Sequence, residues 1–348
     1  MINIFSGDAF SVTTLTGVIN KLVIAPGRLG QLGLFRPTPV KTLTITLDQI
    51  AGKIKLVPPS PRGAPGQTKE KRRGVQRALV IPHFQRDDGI NADEVQDVRQ
   101  LGSEDQTKDL QQYLGERMQE HSQDLDASDE LARVGAIKGN VVYSDGSNLD
   151  LFSTFEVAQP DEIFFDLAKA NPTMGALREQ IQEEVIRKMG RQMPGVAISN
   201  IRCMCGDAFF SKLISHKEVR ETYLNQVGAA ELRGPYIGIG DQSWGSFDFG
   251  GVTWENYRGE VADEETGELT PFIGPDDAHF FPVGVPGLFR VFYAPADYNE
   301  TVNKLGQKRY AKVYPKPDDK GYEMQVQTNA LHICTQPQVL LKGSKNAS

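Results

Sequence analysis

The segment from Thr42 to Pro82 constrains this chain most, because it forms a ribbon that cannot fold alone. Leu43, Ile45 and Leu47 alternate with Thr42, Thr44 and Thr46, the period of a half-buried strand. Ile54, Leu56 and Val57 lead into Pro58-Pro59-Ser60-Pro61-Arg62-Gly63-Ala64-Pro65-Gly66, where proline and glycine forbid regular structure. Ala78, Leu79, Val80, Ile81 and Pro82 then read as a returning strand. Between Lys53 and Arg77 lie eight basic residues (Lys53, Lys55, Arg62, Lys69, Lys71, Arg72, Arg73 and Arg77) and one acid, Glu70. A lone two-stranded hairpin is marginal in water. Residues 41–86 are therefore expected to lie on a neighbouring molecule.

Residues 1–40 have the same incompleteness. Phe5, Phe10, Leu15, Val18, Leu22, Leu32, Leu34 and Phe35 are interrupted by Pro26, Gly27, Gly30, Gly33, Pro37 and Pro39. The spacing allows a helix over 13–23, but the segment reads as an arm whose apolar residues need a surface from elsewhere.

From 87 the chain turns acidic and helical. Leu110, Tyr113, Leu114, Met118, Leu125, Leu131, Val134 and Ile137 recur at helical spacing over 105–137, with Ser103, Asp105 and Gln106 as a capping region. Such a helix would be about 50 Å long at about 1.5 Å per residue, unless 122–128 interrupts it. Its carboxylates read as a solvated face. A hairpin over 140–155 turns at Ser144-Asp145-Gly146-Ser147-Asn148. A helix from Thr173 carries the stripe Leu177, Ile181, Val185 and Met189 and ends at Gly190 and Pro194. Val196 to Cys205 suggests a strand bulged at Asn200, and Asp207 suggests the cap of a helix holding Phe209, Phe210, Leu213 and Ile214. Strands follow around Gly250-Gly251, then a charged turn over 263–268. Residues 322–341 have nearly continuous strand character before a polar tail, 343–348.

With 348 residues the chain is long enough for two lobes with their own cores. No apolar run is long enough to span a bilayer, and Met1 to Phe10 carries Asp8 but no basic residue, so no signal peptide is expected. Three cysteines suit a reducing compartment better than a disulfide framework. The net charge of −7 argues against a protein whose main work is gripping nucleic acid, since that binding is driven by release of counterions from phosphate.

Residues that could carry chemistry are few. Cys203-Met204-Cys205 has no second Cys/His pair at zinc spacing and reads as two small buried side chains. The histidines, His83, His121, His216, His279 and His332, fall in different predicted elements. Asp276-Asp277-Ala278-His279 reads as a turn. Gly238-Ile239-Gly240 lacks the rest of a nucleotide-binding fingerprint. There is no Gly-x-Ser-x-Gly elbow and no His-Glu-x-x-His. No catalytic, cofactor or metal site is expected. The basic run Lys69 to Arg73 has no interleaved aromatic residues for single-stranded nucleic acid. It fits the acidic stretch 87–130 of another copy better than DNA, so the eight basic residues of the ribbon are the candidate intersubunit contacts.

Arm, basic ribbon, long helix, mixed lobe and returning strands, in that order, resemble the Hong Kong 97-type capsid fold, an α+β architecture. More narrowly, the chain resembles the lambda-type major capsid protein E family of tailed bacteriophages along nearly its whole length. The likeness is carried by Gly250-Gly251-Val252-Thr253-Trp254 through Tyr257, Phe272-Ile273-Gly274-Pro275-Asp276-Asp277, Phe281-Pro282-Val283-Gly284, Gly287-Leu288-Phe289, Tyr322 to Thr328, and Pro337. The resemblance implies an N-terminal arm (1–40), an extended loop (41–86) and a peripheral domain with a spine helix (87–172). It also implies an axial domain (173–284) and C-terminal strands (285–348) returning to the periphery. The implied function is self-assembly into pentamers and hexamers of an icosahedral head around double-stranded DNA. Implied partners are other copies, a scaffold, a portal and a decoration protein, without sequence-specific DNA contact or a membrane. The alternatives are a nanocompartment shell of the same fold and a soluble two-lobed α/β enzyme.

Overall fold

A computed structural model describes residues 12–20, 27–49, 75–91, 106–169, 173–224, 245–262, 269–317 and 320–345. In chain order the elements begin with α1 (Val12–Ile19), α2 (Arg28–Gln31), β1 (Arg36–Pro39), β2 (Thr44–Gln49), β3 (Val75–Val80), β4 (Phe84–Asn91) and α3 (Gln106–Lys138). Next come β5 (Asn140–Val142), β6 (Asn148–Asp150), α4 (Leu151–Thr154), β7 (Ile163–Phe164), α5 (Ala176–Gln180), a π-helical turn (Ile181–Arg187) and α6 (Lys188–Gln192). Then follow β8 (Asn200–Cys205), α7 (Asp207–Ser215), α8 (Lys217–Leu224), β9 (Ser246–Phe249), β10 (Val252–Asn256), β11 (Glu260–Ala262) and β12 (Leu269–Pro271). The last strands are β13 (Asp277–Val283), β14 (Phe289–Tyr293), β15 (Tyr310–Pro315), β16 (Gly321–Thr328), β17 (Ala330–Cys334) and β18 (Leu341–Ser344). The chain forms two compact units: unit 1 is Met1–Thr46, Ala78–Arg133 and Arg290–Ile333, and unit 2 is Leu47–Arg77, Val134–Phe289 and Cys334–Ser348.

Unit 1 is built on the antiparallel sheet β15-β16-β4. Alternation along β16 buries Met324 and Val326, which pack with Ile90, Ala311, and Leu114, Met118 and Leu125 of α3. Leu15 and Ile19 of α1 join the same cluster. The surface beneath Leu15 and Ile19 is thus supplied by their own chain. The helix stops at Ile19, short of the expected Val23. A second sheet, β1-β14-β17, begins with a parallel β1–β14 pair. The Val40 N–H donates to the Tyr293 carbonyl at 2.9 Å, so by alternation Arg36 and Thr38 also face β14. Pro37 and Pro39 then face the free edge, where they offer no N–H to an added strand.

The expected long helix is α3, unbroken through 122–128; the residues of its predicted cap, 103–105, lie outside the described ones. Its carboxylates correct the picture of a solvated face. Asp126, Asp129 and Glu130 are buried, because the apolar ladder Leu114, Met118, Leu125 continues at helical spacing through Asp129 and not through the half-buried Leu131.

Unit 2 centres on the six-stranded mixed sheet β7-β18-β13-β8-β10-β9. Phe165, Phe209, Trp254 and Phe280 interlock there, with ring centroids 5.2–6.1 Å apart. The stripe Leu177, Ile181, Val185 and Met189 is buried against them. Several boundaries differ from the sequence reading. The helix begins at Ala176, since Gly175 at φ 87° and the Glu218 carboxylate, which accepts from the N–H groups of Leu177 (3.1 Å) and Arg178 (3.2 Å), set its start. Gly190 lies inside α6, not at its end. Residues 151–154 are helical because Asp150 caps them, accepting from the Phe152 N–H at 2.9 Å. Asp207 is not the cap of α7; Gly206 is, and the Asp207 carboxylate faces Asn256 and Arg258 instead. The strand expected from Val196 starts only at Asn200. Gly343 and Ser344 belong to β18, paired with Ala278 and Asp277, and not to a polar tail.

Candidate functional site

The ribbon is represented by its two strands, β2 and β3, which pair with each other. At its foot the Ile81 N–H donates to the Leu43 carbonyl at 2.9 Å. Of the eight basic residues, Lys53, Lys55, Arg62, Lys69, Lys71, Arg72 and Arg73 lie outside the described residues, as do Ile54 to Val57. Arg77 is described. Its guanidinium meets the Glu156 carboxylate of the same chain at 2.9 and 3.0 Å. Hydrogen bonding to that carboxylate holds the arginine's pKa above its ordinary value and the Glu156 carboxyl below its own.

The arm is fixed by a charge network that sequence reasoning missed. Arg309, almost fully buried, donates from one guanidinium nitrogen to Asp126 at 2.7 Å and to Asp129 at 2.9 Å, and from the other to Thr328 Oγ1 at 2.8 Å. Lys308 reaches Asp126 at 2.8 Å. Arg133 pairs with Glu130 at 3.1 Å. Glu130 in turn accepts from the backbone N–H groups of Leu29 (2.6 Å) and Gly30 (3.2 Å), the otherwise unpaired donors at the start of α2. A Cβ on Gly27 would lie 2.4 Å from the Glu130 side chain, so a larger residue there would have to displace that carboxylate. The seam between this part of the arm and its support keeps a cleft of about 220 Å³, lined by Leu29, Leu34, Phe35, Arg133, Val291 and Tyr293 among others.

The electrostatics of the network follow from burial. Desolvation works to raise the Asp129 carboxyl, but the guanidinium groups of Arg309 and Arg133 outweigh it and hold its pKa below the ordinary value. His332 lies edge-on to Phe35 at 5.5 Å, and neither ring nitrogen has a hydrogen-bond partner. Desolvation pushes its pKa down to about 3, keeping it neutral. The only sequence signal for the network was phase, with Asp129 falling where the Leu114–Leu125 ladder demands an inward residue.

Most of the residues weighed for chemistry lie among the described ones, buried or engaged with neighbours. Cys203 and Cys205 are buried with Sγ atoms 3.6 Å apart, and desolvation raises the Cys203 thiol well above its ordinary pKa. Burial likewise pushes Cys334 up to about 12, so neither Cys203 nor Cys334 forms a reactive thiolate at neutral pH. His279 lies inside β13, its pKa lowered to about 3 by desolvation and by Lys138 and Lys342. Asp276 pairs with Lys345 and Asp277 with Lys342. His83 meets Asn329 and His121 meets Asp88. Gly238 to Gly240 lie outside the described residues. Among the described residues no group of three or more His, Cys, Asp or Glu could hold a metal, and no helix is long and apolar enough to cross a membrane.

A split sheet-and-helix body with a ribbon, an arm and a long helix defines the class of shell-forming capsid subunits with the Hong Kong 97-like fold. The same fold occurs in a crystal structure of an E. coli CFT073 prophage protein assigned to the capsid. That match has a TM-score of 0.63 and 15% identity, and covers 96% of this chain and 98% of that one. Residues 11–345 match the phage major capsid protein E family, and the chain belongs to it. Among similar proteins are the major capsid protein of Salmonella phage Felix O1, 27% identical over 358 residues and 95% of each chain, and that of Pseudomonas phage KPP10, 27% identical over 342 residues and 96% of each chain. The protein is thus a virion component, a structural protein of a tailed-phage head, and self-association into a shell is its function. The resemblance drawn from Gly250–Tyr257, Phe272–Asp277 and the closing strands points to the same family.

Proposed function

We propose that this chain closes as pentamers and hexamers into an icosahedral head around double-stranded DNA, with no catalytic activity of its own. The observation that carries the reading is the family match over 11–345. In this reading residues 1–40 are an arm, 41–86 an extended loop, 87–172 a peripheral domain, 173–284 an axial domain, and 285–348 strands returning to the periphery. The seven basic residues from Lys53 to Arg73 are intersubunit contacts, meeting acidic surface on a neighbouring copy, while Arg77 is held by Glu156 of its own chain. A scaffold, a portal and a decoration protein are the further partners, and the net charge of −7 supports loose, non-specific packing of the DNA.

Heterologous contacts of nearly constant geometry generate rings and closed shells. Expression of the full chain followed by light scattering and electron microscopy tests the reading. Rings or closed shells are the expected result; a stable monomer at high concentration would overturn it.

A further inference from the structure

We propose that an apolar knob on unit 1, formed by Val302 and Leu305 with Leu43 and Val80 beside them, is a contact through which one copy of this chain grips the next. The inference deepens the assembly reading and rests on it. Among the described residues, unit 1 exposes four large aliphatic side chains: Leu43 at 63%, Val80 at 72%, Val302 at 64% and Leu305 at 53%. The Gly306 N–H donates to the Val40 carbonyl at 2.8 Å, and the Ile81 N–H donates to the Leu43 carbonyl at 2.9 Å. Backbone bonds thus tie the residue after Leu305 to Val40, three residues before Leu43, and the residue after Val80 to Leu43 itself.

The loop is held stiffly. Thr301 Oγ1 lies 2.6 Å from the Ala296 carbonyl and 2.8 Å from that of Tyr298. The Lys304 N–H returns to the Thr301 carbonyl at 3.0 Å. A Cβ on Gly306 would lie 2.0 Å from the Tyr293 carbonyl oxygen, so the backbone just after Leu305 is pressed against β14. Asn303 sits at φ 60°, a left-handed conformation that costs energy in a non-glycine residue. Strain and local hydrogen bonds spent on holding aliphatic side chains in water make sense as preorganisation for a contact.

The flanking charges say what the contact takes. Lys41 and Lys304 are exposed on the same segments, so the mate should be apolar with acidic flanks. Unit 2 carries that complement at Phe164, 40% exposed on the two-residue edge strand β7, with exposed Asp161 and Asp166 on either side. Both surfaces are open to solvent in the single chain, so the pairing is between copies. Because knob and mate are different surfaces, the contact is head-to-tail, the kind that propagates around a ring.

The test compares the full-length parent with Val302→Asp/Leu305→Asp in the same assembly reaction. The variant should keep the parent's circular dichroism, as exposed substitutions generally do. Its shell yield should fall by about tenfold or more, the loss expected when a contact centre is charged. A yield equal to the parent's would overturn the proposal. Should the aspartates impair folding, Val302→Ser/Leu305→Ser is read by the same criterion. Leu305→Cys combined with Phe164→Cys then identifies the mate, since oxidation of assembled shells should give a ladder of covalent oligomers. Shells that yield no ladder would overturn the pairing with Phe164. A parent that forms no shells at all would sink the assembly reading and this inference with it, whereas normal assembly by parent and variant alike would sink only the inference.

Discussion

Beside its apolar core unit 1 buries a cluster of charged side chains, whereas the core of unit 2 is built round interlocking aromatic rings. Arg309, Asp126, Asp129, Glu130 and Arg133 are five buried side chains of the first unit joined by ion pairs. Around Trp254 the second buries Phe165, Phe209 and Phe280, and the one polar atom of the tryptophan is satisfied by the Phe249 carbonyl at 3.0 Å. The two solutions differ in what they demand of the chain. Rings that interlock need shape and volume, which a neighbour can partly restore after a loss. Buried charges need every partner present, and here the partners come from α3 and from a segment 183 residues away. Unit 1 is therefore the more conditional of the two, and it is the unit to which the arm is tied.

The contrast breaks or holds on removal of one arginine. Arg309→Met leaves Asp126 and Asp129 without their principal partner and should cost about 3–5 kcal/mol in urea denaturation of the unassembled full-length chain. Trp254→Phe removes the largest side chain of the aromatic core and frees one carbonyl, for a smaller loss of about 1–2 kcal/mol. Equal losses would mean that the ionic cluster is no more demanding than ordinary packing. Adding Asp126→Leu and Asp129→Leu to Arg309→Met should recover part of the loss, because the cost lies in the stranded carboxylates and not in the missing guanidinium.

A second test reaches both units through their buried histidines. His332 in unit 1 and His279 in unit 2 both titrate at about 3 in the folded chain, because burial disfavours their charged form, against about 6.5 in an unfolded one. Between these values the unfolded state binds more protons, so stability is complete above about 6.5 and is lost as the pH falls toward 3. Moving from pH 7 to pH 5 should cost about 2 kcal/mol for each histidine. Asp129, held below its ordinary value by Arg309, loses its contribution only below the carboxylate range and adds nothing in this window. His332→Gln should flatten the pH dependence of unit 1 alone. Unfolding midpoints that do not move between pH 7 and pH 5 would contradict the buried, neutral assignment.

The elements that periodicity could reveal were legible in the sequence: α3, the Leu177–Met189 stripe, and the β9–β10 pair around Gly250-Gly251. Their boundaries depended on contacts no local window contains. The α5 start is set by Glu218, 41 residues beyond Leu177, and the identity of the α7 cap by Asn256 and Arg258 drawing Asp207 away. The arm was read as lacking a surface because its support, β15 and β16, lies almost 300 residues later in the chain. The charge network was hidden for a related reason. A carboxylate on a long helix looks the same in sequence whether an arginine from a distant segment meets it or water does.

Two aspartates of α3 make that last point measurable, since they differ only in what faces them. Asp124 pairs with Arg86 at 3.3 Å, but both side chains are about half exposed, at 53% and 45%. Water screens that pair and competes for both partners, so Asp124→Asn should change stability by no more than about 0.5 kcal/mol. Five residues on, Asp129 is buried against Arg309, and the same substitution removes the charge that compensates a desolvated guanidinium. Asp129→Asn should therefore cost several times as much as Asp124→Asn, and its cost should be nearly independent of salt, while the small effect at Asp124 fades as salt is added. Equal effects at the two positions, measured in urea at low and at high salt, would mean that solvent reaches the Arg309 cluster after all. In that case the Arg309 cluster would have to be reread as a surface, and its difference from the aromatic core of unit 2 would be one of composition only.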